Sequence, residues 1–186
     1  MKAFQQAIGG VFLIQPSRFE DERGHFVELW RESALADCLG QSLHFVQENE
    51  SVSKFGVLRG LHFQTAPFAQ AKLIRVMQGR VLDVAVDLRV ESPTYGQHIA
   101  LELGAEKGEL LFLPKGIAHG FVVLSESARV NYKTDAYYSP DHERGVRYDD
   151  PTLAIDWVLP PPEKLIVSAR DQALPFLSDD IKNLSF

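Results

Sequence analysis

Short runs rich in hydrophobic and β-branched residues recur along the chain, and turn-forming residues separate them. In the run 80–89, four aliphatic side chains alternate with positions that include Asp83 and Asp87. Because successive side chains of a strand point to opposite faces, one face of this strand would pack on a core and the other would be polar. The pattern predicts an all-β fold, a sandwich or barrel, with strands at 11–14, 26–30, 45–52, 72–77, 81–88, 98–103, 109–113, 120–124 and 129–134.

The clearest early helix signal covers 32–39, where Ser33 is a candidate N-cap and Gly40 a candidate stop. Such a short helix is expected at the periphery. Three prolines at 160–162 interrupt the strand pattern, and the segment after them carries two apolar patches. A length of 186 residues with 45% hydrophobic content suits one compact core. We therefore predict a single domain over 1–186, in which 160–186 form a C-terminal tail docked on the barrel.

The charge balance argues against a nucleic-acid or membrane partner. A formal net charge of −6, from 25 acidic and 19 basic residues, provides no broad basic surface. No run approaches the roughly 18 apolar residues of a membrane span, and residues 1–5 do not resemble the start of a secretory signal. Cys38 is the only cysteine, which fits a reducing compartment. These features predict a soluble cytoplasmic protein in which any phosphate ligand needs a local cationic pocket.

Two sets of residues have the spacing of the two motifs of cupin barrels. Gly56, His62 and Gly79 match the first motif. The second motif is matched by Gly108, Pro114, Gly116 and His119. The chain thus resembles the cupin superfamily, and the resemblance implies a cupin-type double-stranded β-helix, or jelly-roll barrel, with a few short peripheral helices.

The positions that bind metal in many cupins are altered in this chain. A metal-binding cupin has His-x-His followed by a glutamate; here Gln64 replaces the second histidine, and Lys72, separated from Gly79 by six residues, replaces the glutamate. Lysine offers three hydrogen-bond donors and no acceptor, whereas zinc and iron sites need several N, O or S lone pairs. We therefore expect no metal and no cofactor. A fixed positive charge facing imidazoles suits anion or enolate chemistry instead.

A closer resemblance runs over about 10–175, nearly the whole chain. Its motifs lie at 59–64, 72–76, 79–89, 114–121, 132–138 and 168–171. Together they resemble the dTDP-4-dehydrorhamnose 3,5-epimerase family, and several independent motifs occur in the family's order. The resemblance implies metal-independent epimerisation of dTDP-4-dehydro-6-deoxy-D-glucose at C3 and C5 to dTDP-4-dehydro-L-rhamnose, in dTDP-L-rhamnose biosynthesis.

Epimerisation beside a ketone needs a base that removes a proton, a donor that stabilises the enolate, and an acid that returns a proton to the opposite face. The resemblance implies these roles for four residues. His62 is the proton acceptor and Asp171 is the carboxylate that orients it. Lys72 stabilises the enolate oxygen, and Tyr132 is the proton donor.

The resemblance also implies a set of substrate-binding residues. Arg23 and Arg59 would engage the diphosphate with their planar guanidinium groups. Tyr138 would stack on the thymine ring, and Asp83 would orient His119 toward a sugar or ketone oxygen. The full set is Arg23, Glu28, Gln47, Glu48, Asn49, Arg59, His119, Tyr138, Glu143 and Arg170.

Two positions depart from the family pattern. Arg170 stands where related sequences have lysine, and Glu48 where they often have aspartate. Both changes keep the charge but alter the hydrogen-bond geometry. The family is dimeric, so the resemblance further implies a homodimer, in which Arg23 and Glu28 could serve the partner's pocket.

Three alternatives remain open at this stage. A mono-epimerase acting at C3 or C5 only would use the same base, enolate stabiliser and acid. A metal-dependent cupin oxygenase would use His62 and His119 as ligands, although no convincing carboxylate ligand accompanies them. A non-catalytic nucleotide-sugar binding module would keep the pocket without the chemistry, which the joint presence of His62, Tyr132 and Asp171 argues against.

Overall fold

The computed structural model describes residues 1–177 and 185–186. These residues form fourteen strands: β1 (Lys2–Gln5), β2 (Phe12–Gln15), β3 (Arg18–Asp21), β4 (Gly24–Val27), β5 (Gln47–Lys54), β6 (Val57–Gln64), β7 (Lys72–Gln78), β8 (Arg80–Asp87), β9 (His98–Gly104), β10 (Leu110–Leu113), β11 (Ile117–Val123), β12 (Ser127–Thr134), β13 (Glu143–Gly145) and β14 (Ile166–Val167). The helices in the same residues are short: α1 (Glu32–Leu39), α2 (Ala169–Gln172) and two 3-10 turns at Pro140–His142 and Pro162–Lys164.

The strands form two large sheets and one small hairpin. The first sheet has the order β1-β2-β10-β7-β12-β5. The second has the order β13-β6-β11-β8-β9, and β14 pairs with β6. Among the described residues, strands β3 and β4 pair only with each other. The predicted all-β, jelly-roll class with short peripheral helices is confirmed.

The main hydrophobic core lies between the inner faces of the two sheets. Ile74 and Val130 of the first sheet belong to the same buried cluster as Ala85 and Phe121 of the second. This arrangement follows from the period-two pattern, because each strand contributes alternate side chains to the shared interior. The inner faces are therefore where side chains from both sheets can meet.

Two further clusters cover the outer faces of the sheets. Leu35 of α1 packs with Phe112 and Leu73 on the first sheet. Val146 and Trp157 pack with Val84, Val86 and Ala118 on the second sheet, where they are joined by Leu165, Val167, Leu177 and Phe186. In the predicted tail, residues 178–184 lie outside the described residues. Within the described part of the chain, no helix is long and apolar enough to cross a membrane.

Several predicted boundaries differ from the structure. Strand β6 is absent from the predicted strands, because Gly60 interrupts its alternation of apolar and polar residues. The predicted strand at 26–30 is only partly correct, since β4 ends at Val27. Ser33 is not the cap of α1: the N-cap is Arg31, and no side chain caps the helix. Gly40 does end this helix, in the left-handed conformation that glycine adopts readily.

Candidate active site

A cavity of about 660 Å³ opens on the inner faces of both sheets. It is lined by strands β5, β6, β7, β11 and β12, by the segment around Tyr138 and Glu143, and by α2 with the residues before it. Most of the residues implied by the resemblance line this one cavity: Gln47, Asn49, Arg59, His62, Lys72, His119, Tyr132, Tyr138, Glu143, Arg170 and Asp171.

A bulge in β6 determines which of its side chains enter the cavity. Gly60 and Leu61 together stand opposite the single residue Gly120 of β11. The extra residue resets the alternation of side chains, as β-bulges do. As a result Arg59 and His62, three positions apart, both line the cavity.

Only glycine fits the crossing point of this bulge. Gly60 has φ +115°, and a Cβ built on it would lie 2.5 Å from Cα of Gly120. Both the conformation and the space therefore exclude a side chain. The backbone N–H of Gly60 donates to Oδ2 of Asp171 at 3.2 Å instead of to a neighbouring strand. The bulge thus anchors a carboxylate from the far end of the chain.

Asp171 holds the imidazole of His62. Its Oδ1 lies 2.8 Å from Nε2 of His62, and the Asp171 side chain is 6% exposed. Burial disfavours the charged carboxylate, but the hydrogen bonds from His62, Gly60 and Ser168 outweigh it and hold the pKa of Asp171 below its usual range. An ionised carboxylate only accepts, so Nε2 carries the proton and Nδ1 is the nitrogen that can take a proton from substrate.

Ser168, to which the sequence motifs assigned no role, fixes Asp171 in turn. Ser168 is the N-cap of α2, and its hydroxyl accepts from the backbone N–H of Asp171 at 3.0 Å. Serine three residues before an acidic side chain is a known helix-start signal. The pattern at 168–171 is therefore the sequence signal that points to this role.

A second histidine–carboxylate pair lies beside the first. His119 and His62 are cross-strand neighbours on β11 and β6. Nε2 of His119 is 2.9 Å from Oδ2 of Asp83, a residue of β8 that is buried behind it and does not line the cavity. Asp83 therefore fixes the ring of His119, as Asp171 fixes that of His62.

Lys72 brings a buried ammonium group to the cavity. It is 8% exposed, and its Nζ donates to the backbone oxygen of His62 at 3.2 Å. Burial lowers the pKa of Lys72 to about 8, and the negative charges of Glu143 and Asp83 act against that shift. Near neutral pH most of the group is charged, so it can stabilise a developing oxyanion in the cavity.

Tyr132 faces the cavity from the other sheet. It lies on β12 of the first sheet, whereas His62 lies on β6 of the second. Burial and the nearby carboxylate of Glu143 raise the pKa of Tyr132. The phenol therefore stays protonated, and it holds that proton on the sheet that faces His62.

Glu143 connects two other cavity residues. Its Oε2 accepts from the hydroxyl of Tyr138 at 2.5 Å and pairs with Arg170. Burial alone would raise the pKa of Glu143, but these two donors hold it below the usual range. The backbone N–H of Tyr138 donates to Oε1 of Gln47 at 2.8 Å, and Nε2 of Gln47 donates to Oδ1 of Asn49 at 2.9 Å.

Arg59 is the cationic side chain near the middle of β6. Its Nε donates to the hydroxyl of Ser53 at 3.1 Å, and Ser53 is buried on β5, the preceding strand of the chain. Within residues 1–177 and 185–186 this is the one hydrogen bond of the guanidinium, so its two terminal nitrogens can bind a ligand. A planar guanidinium held by Nε is suited to bidentate contact with phosphate oxygens.

Three of the implied substrate-binding residues do not line this cavity. Glu48 alternates with Gln47 and Asn49, so its side chain points to the other face of β5, where it pairs with Lys133 at 2.8 Å. The expected contact of Glu48 with ligand in its own cavity is thus not supported. Arg23 pairs with Asp21 in the β3–β4 hairpin, and Glu28 pairs with Arg31. Neither Arg23 nor Glu28 therefore lies in the cavity of its own chain.

The donor groups of the cavity do not suit a metal ion. In residues 1–177 and 185–186, no group of three or more His, Cys, Asp or Glu side chains is arranged to hold one. The ring nitrogens of His62 and His119 that face carboxylates are already bonded to Asp171 and Asp83. The cationic Lys72 occupies the place of a carboxylate ligand in the motif.

Known proteins match the chain over almost its whole length. A family model described as dTDP-4-dehydrorhamnose 3,5-epimerase matches residues 5–179. The chain belongs to this family. A dTDP-4-dehydrorhamnose 3,5-epimerase of Salmonella typhimurium is 45% identical over 177 residues, which cover 95% of this chain and 96% of that protein.

Solved structures agree with the family assignment. The crystal structure of a dTDP-4-dehydrorhamnose 3,5-epimerase from Elizabethkingia anophelis has a TM-score of 0.92 and 45% identity, covering 96% of this chain and 97% of that one. A dTDP-6-deoxy-D-glucose-3,5-epimerase from Legionella pneumophila, in complex with dTDP-4-keto-L-rhamnose, has a TM-score of 0.91 and 40% identity, covering 99% and 97%. The chain is therefore an isomerase of the epimerase class, which favours this function over the oxygenase alternative.

Proposed function

We propose that this epimerase inverts C3 and C5 of dTDP-4-dehydro-6-deoxy-D-glucose to give dTDP-4-dehydro-L-rhamnose, in dTDP-L-rhamnose biosynthesis. One observation carries the proposal: His62, held by Asp171, and Tyr132 lie on facing sheets and line one cavity with the buried Lys72. A base and an acid on opposite sides of a ring are what inversion at a carbon requires.

Each inversion exchanges one proton. Nδ1 of His62 removes the proton from the carbon beside the C4 ketone, and the electron pair moves onto the C4 oxygen as an enolate. The positive charge of Lys72 stabilises that oxygen. Tyr132 then returns a proton to the opposite face of the carbon. The substrate and product have the same composition, so the conversion needs no net oxidant. The imidazolium of His62 then releases its proton to solvent and the phenolate of Tyr132 regains one, which resets both groups for the second carbon.

Charge and position in the cavity support the binding roles that the resemblance implies. Arg59 has free terminal nitrogens for the diphosphate, and Arg170 adds a second guanidinium on α2. Tyr138, which is 47% exposed, presents an aromatic face for the thymine. His119, whose Nε2 is held by Asp83, presents Nδ1 to a sugar hydroxyl, which donates to it. The remaining contacts to the nucleotide sugar are assigned to Gln47, Asn49 and Glu143.

An NMR assay in deuterated water, with the dTDP-4-keto-6-deoxy sugar as substrate, tests both the chemistry and its positions. We expect deuterium at C3 and at C5, with formation of the L-rhamno product. Incorporation at one carbon alone would replace this function with a mono-epimerase. Absence of exchange by folded protein would refute epimerisation, and loss of turnover after chelator treatment would refute the metal-independent mechanism.

We further propose that the enzyme is a homodimer whose β3–β4 hairpin completes the partner's cavity with Arg23 and Glu28. Phe19 and Phe26 form a cross-strand pair on this hairpin and are 63% and 69% exposed. Two large exposed aromatic rings on a hairpin outside both sheets favour a buried position in an assembly. Strand β5 also ends its sheet, and a free sheet edge favours pairing.

Mixed dimers test the crossed arrangement. A chain carrying His62→Ala and a chain carrying Arg23→Ala are each expected to be nearly inactive alone. When the two are unfolded and refolded together, one of the two sites in a heterodimer regains both residues only if Arg23 acts across the interface. Recovery of activity supports the proposal, whereas no recovery in confirmed heterodimers means that Arg23 acts within its own chain.

We propose that 1–186 function as one domain, because Asp171 beyond the prolines completes the site of His62 on β6. A cytoplasmic location is proposed as well, on the support of a single cysteine, which fits a reducing compartment. Neither a nucleic acid nor a membrane is proposed as a partner.

A further inference from the structure

Gln64 occupies the position at which metal-binding cupins have their second histidine, yet none of the roles above involves it. It is 4% exposed and lines the cavity at the end of β6. In the pairing of β13 with β6, it stands opposite Glu143. A buried polar side chain at this position needs partners, and those partners show what it does.

The amide of Gln64 binds the backbone on both sides of Tyr138. Its Oε1 accepts from the N–H of Ser139 at 2.7 Å, and its Nε2 donates to the carbonyl of Tyr137 at 3.2 Å. The same Nε2 donates its other hydrogen to the carbonyl of Phe68 at 2.7 Å. Both donors and the acceptor of the amide are thus used, and two of these three bonds hold the Tyr138 segment against β6.

Only an amide can make this set of bonds. Two carbonyl oxygens require two donors from one side chain, and the Ser139 N–H requires an acceptor. A carboxylate has no donor and would face both carbonyls with negative charge. An imidazole has at most one donor beside one acceptor when neutral.

We propose that Gln64 is a positioning residue for nucleotide binding: it fixes the Tyr138 segment so that the aromatic ring and Glu143 are preorganised for the nucleobase end of the substrate. The inference rests on the proposed function, in which Tyr138 takes the thymine ring. Preorganised contacts improve affinity because less ordering is needed on binding. Loss of Gln64 therefore weakens binding of the nucleotide, while His62, Lys72 and Tyr132 stay in place for the chemical step.

Titration with dTDP and steady-state kinetics test this role. In Gln64→Glu, which keeps the shape of the side chain but has no donor, we expect the Kd for dTDP and the KM for the nucleotide sugar to rise about tenfold or more. We expect kcat at saturation to change by less than about threefold. Gln64→Met, which is uncharged and of similar length, should give the same split and covers the case in which the glutamate variant does not fold.

A double-mutant cycle with Tyr138→Ala separates positioning from general support. If Gln64 acts through Tyr138, then Gln64→Met costs no further dTDP affinity in the Tyr138→Ala background. Gln6→Glu is the matched control, since Gln6 also donates to a backbone carbonyl, at 2.8 Å, but is only half-buried and does not line the cavity. Its affinity and turnover should equal those of the wild type.

The outcomes are distinguishable from failure of the proposed function. If wild-type protein neither binds dTDP nor exchanges protons, the proposed function fails first. If the wild type does both and the Gln64 variants bind dTDP within twofold of it, the positioning role is wrong. Effects of Gln64→Met and Tyr138→Ala that simply multiply, or kcat falling as far as KM rises, would also overturn it.

Discussion

Nε2 of His62 lies 2.8 Å from Oδ1 of Asp171, although 109 positions of sequence separate the two residues. The contact exists because the bulge of β6 offers the Gly60 N–H to the same carboxylate and because Ser168 caps the helix that carries it. The base of the proposed reaction is thus oriented by backbone features of two distant segments.

Asp171→Asn should lower kcat by roughly 10²- to 10⁴-fold. The amide keeps the size of the side chain but cannot stabilise the imidazolium, and its NH₂ group can turn the imidazole to the wrong tautomer. Turnover and deuterium exchange measured by NMR check this. Asp149→Asn is the control, since Asp149 pairs with Arg147 at the surface. Equal activity of the two variants would contradict the orienting role of Asp171.

Tyr132→Phe should separate exchange from inversion. His62 can still remove a proton from the substrate, but the phenyl ring cannot return one to the opposite face. We expect recovered substrate that carries deuterium and an epimerisation rate lower by roughly 10²-fold or more. Tyr95→Phe, in a loop away from the cavity, serves as the comparison. Inverted product at the normal rate would assign the proton donor to another group.

The pH dependence of kcat/KM should show the titration of Lys72. The pKa of this group is lowered to about 8, so its ammonium form decreases as the pH rises through 8. Because only the charged form stabilises the enolate oxygen, we expect kcat/KM to fall on the alkaline side of about pH 8. The residual activity of Lys72→Met should lack this fall. A profile that stays flat up to pH 10 would argue against the role.

Lys72→Met should be less active and more stable than the wild type. The pKa of Lys72 lies below its ordinary value of 10.5 in the folded state, so the unfolded chain binds more protons between about pH 8 and 10.5. The free energy of unfolding of the wild type therefore rises with pH across that window. Below about pH 8 the buried charge lowers this free energy by up to roughly 3 kcal/mol. Urea unfolding of both proteins at pH 7 and pH 10 measures the stability difference and its pH dependence. A Lys72→Met variant that is less stable than the wild type at pH 7 would contradict the prediction.

Gly60→Ala should destabilise the fold by roughly 2 kcal/mol or more. The added Cβ meets the Gly120 backbone at 2.5 Å in a conformation with φ +115°. Gly24→Ala is a matched control: Gly24 has φ +122° but no atom within 4 Å of the same Cβ position. Chemical denaturation of both variants separates the steric term from conformational strain. If the two variants lose the same free energy of unfolding, the close approach to Gly120 does not contribute to the destabilisation.

Much of the fold and the composition of the site could be predicted from the sequence. Period-two alternation located β8 and most of the other long strands, and the family motifs identified the residues that line the cavity. The same alternation could not locate β6, because the bulge at Gly60 breaks the period that the pattern relies on. Side-chain direction at 47–49 was likewise undecided, and the register of β5 turned Glu48 away from the cavity and toward Lys133.

The sequence by itself determined which chemical groups are present: an imidazole, a phenol, a lysine in the place of a metal-binding carboxylate, and the strand periodicity of an all-β chain. Only the tertiary structure decided how they are combined. The family resemblance already implied that Asp171 orients His62, and the structure gave the pair its 2.8 Å contact. It also set Tyr132 on the facing sheet, buried Lys72 enough to lower its pKa, and placed the backbone beside Tyr138 against the amide of Gln64. The physical reason is that local pattern fixes the conformation of each segment, whereas distances between segments depend on strand register, and a single extra residue in a bulge changes which side chains meet.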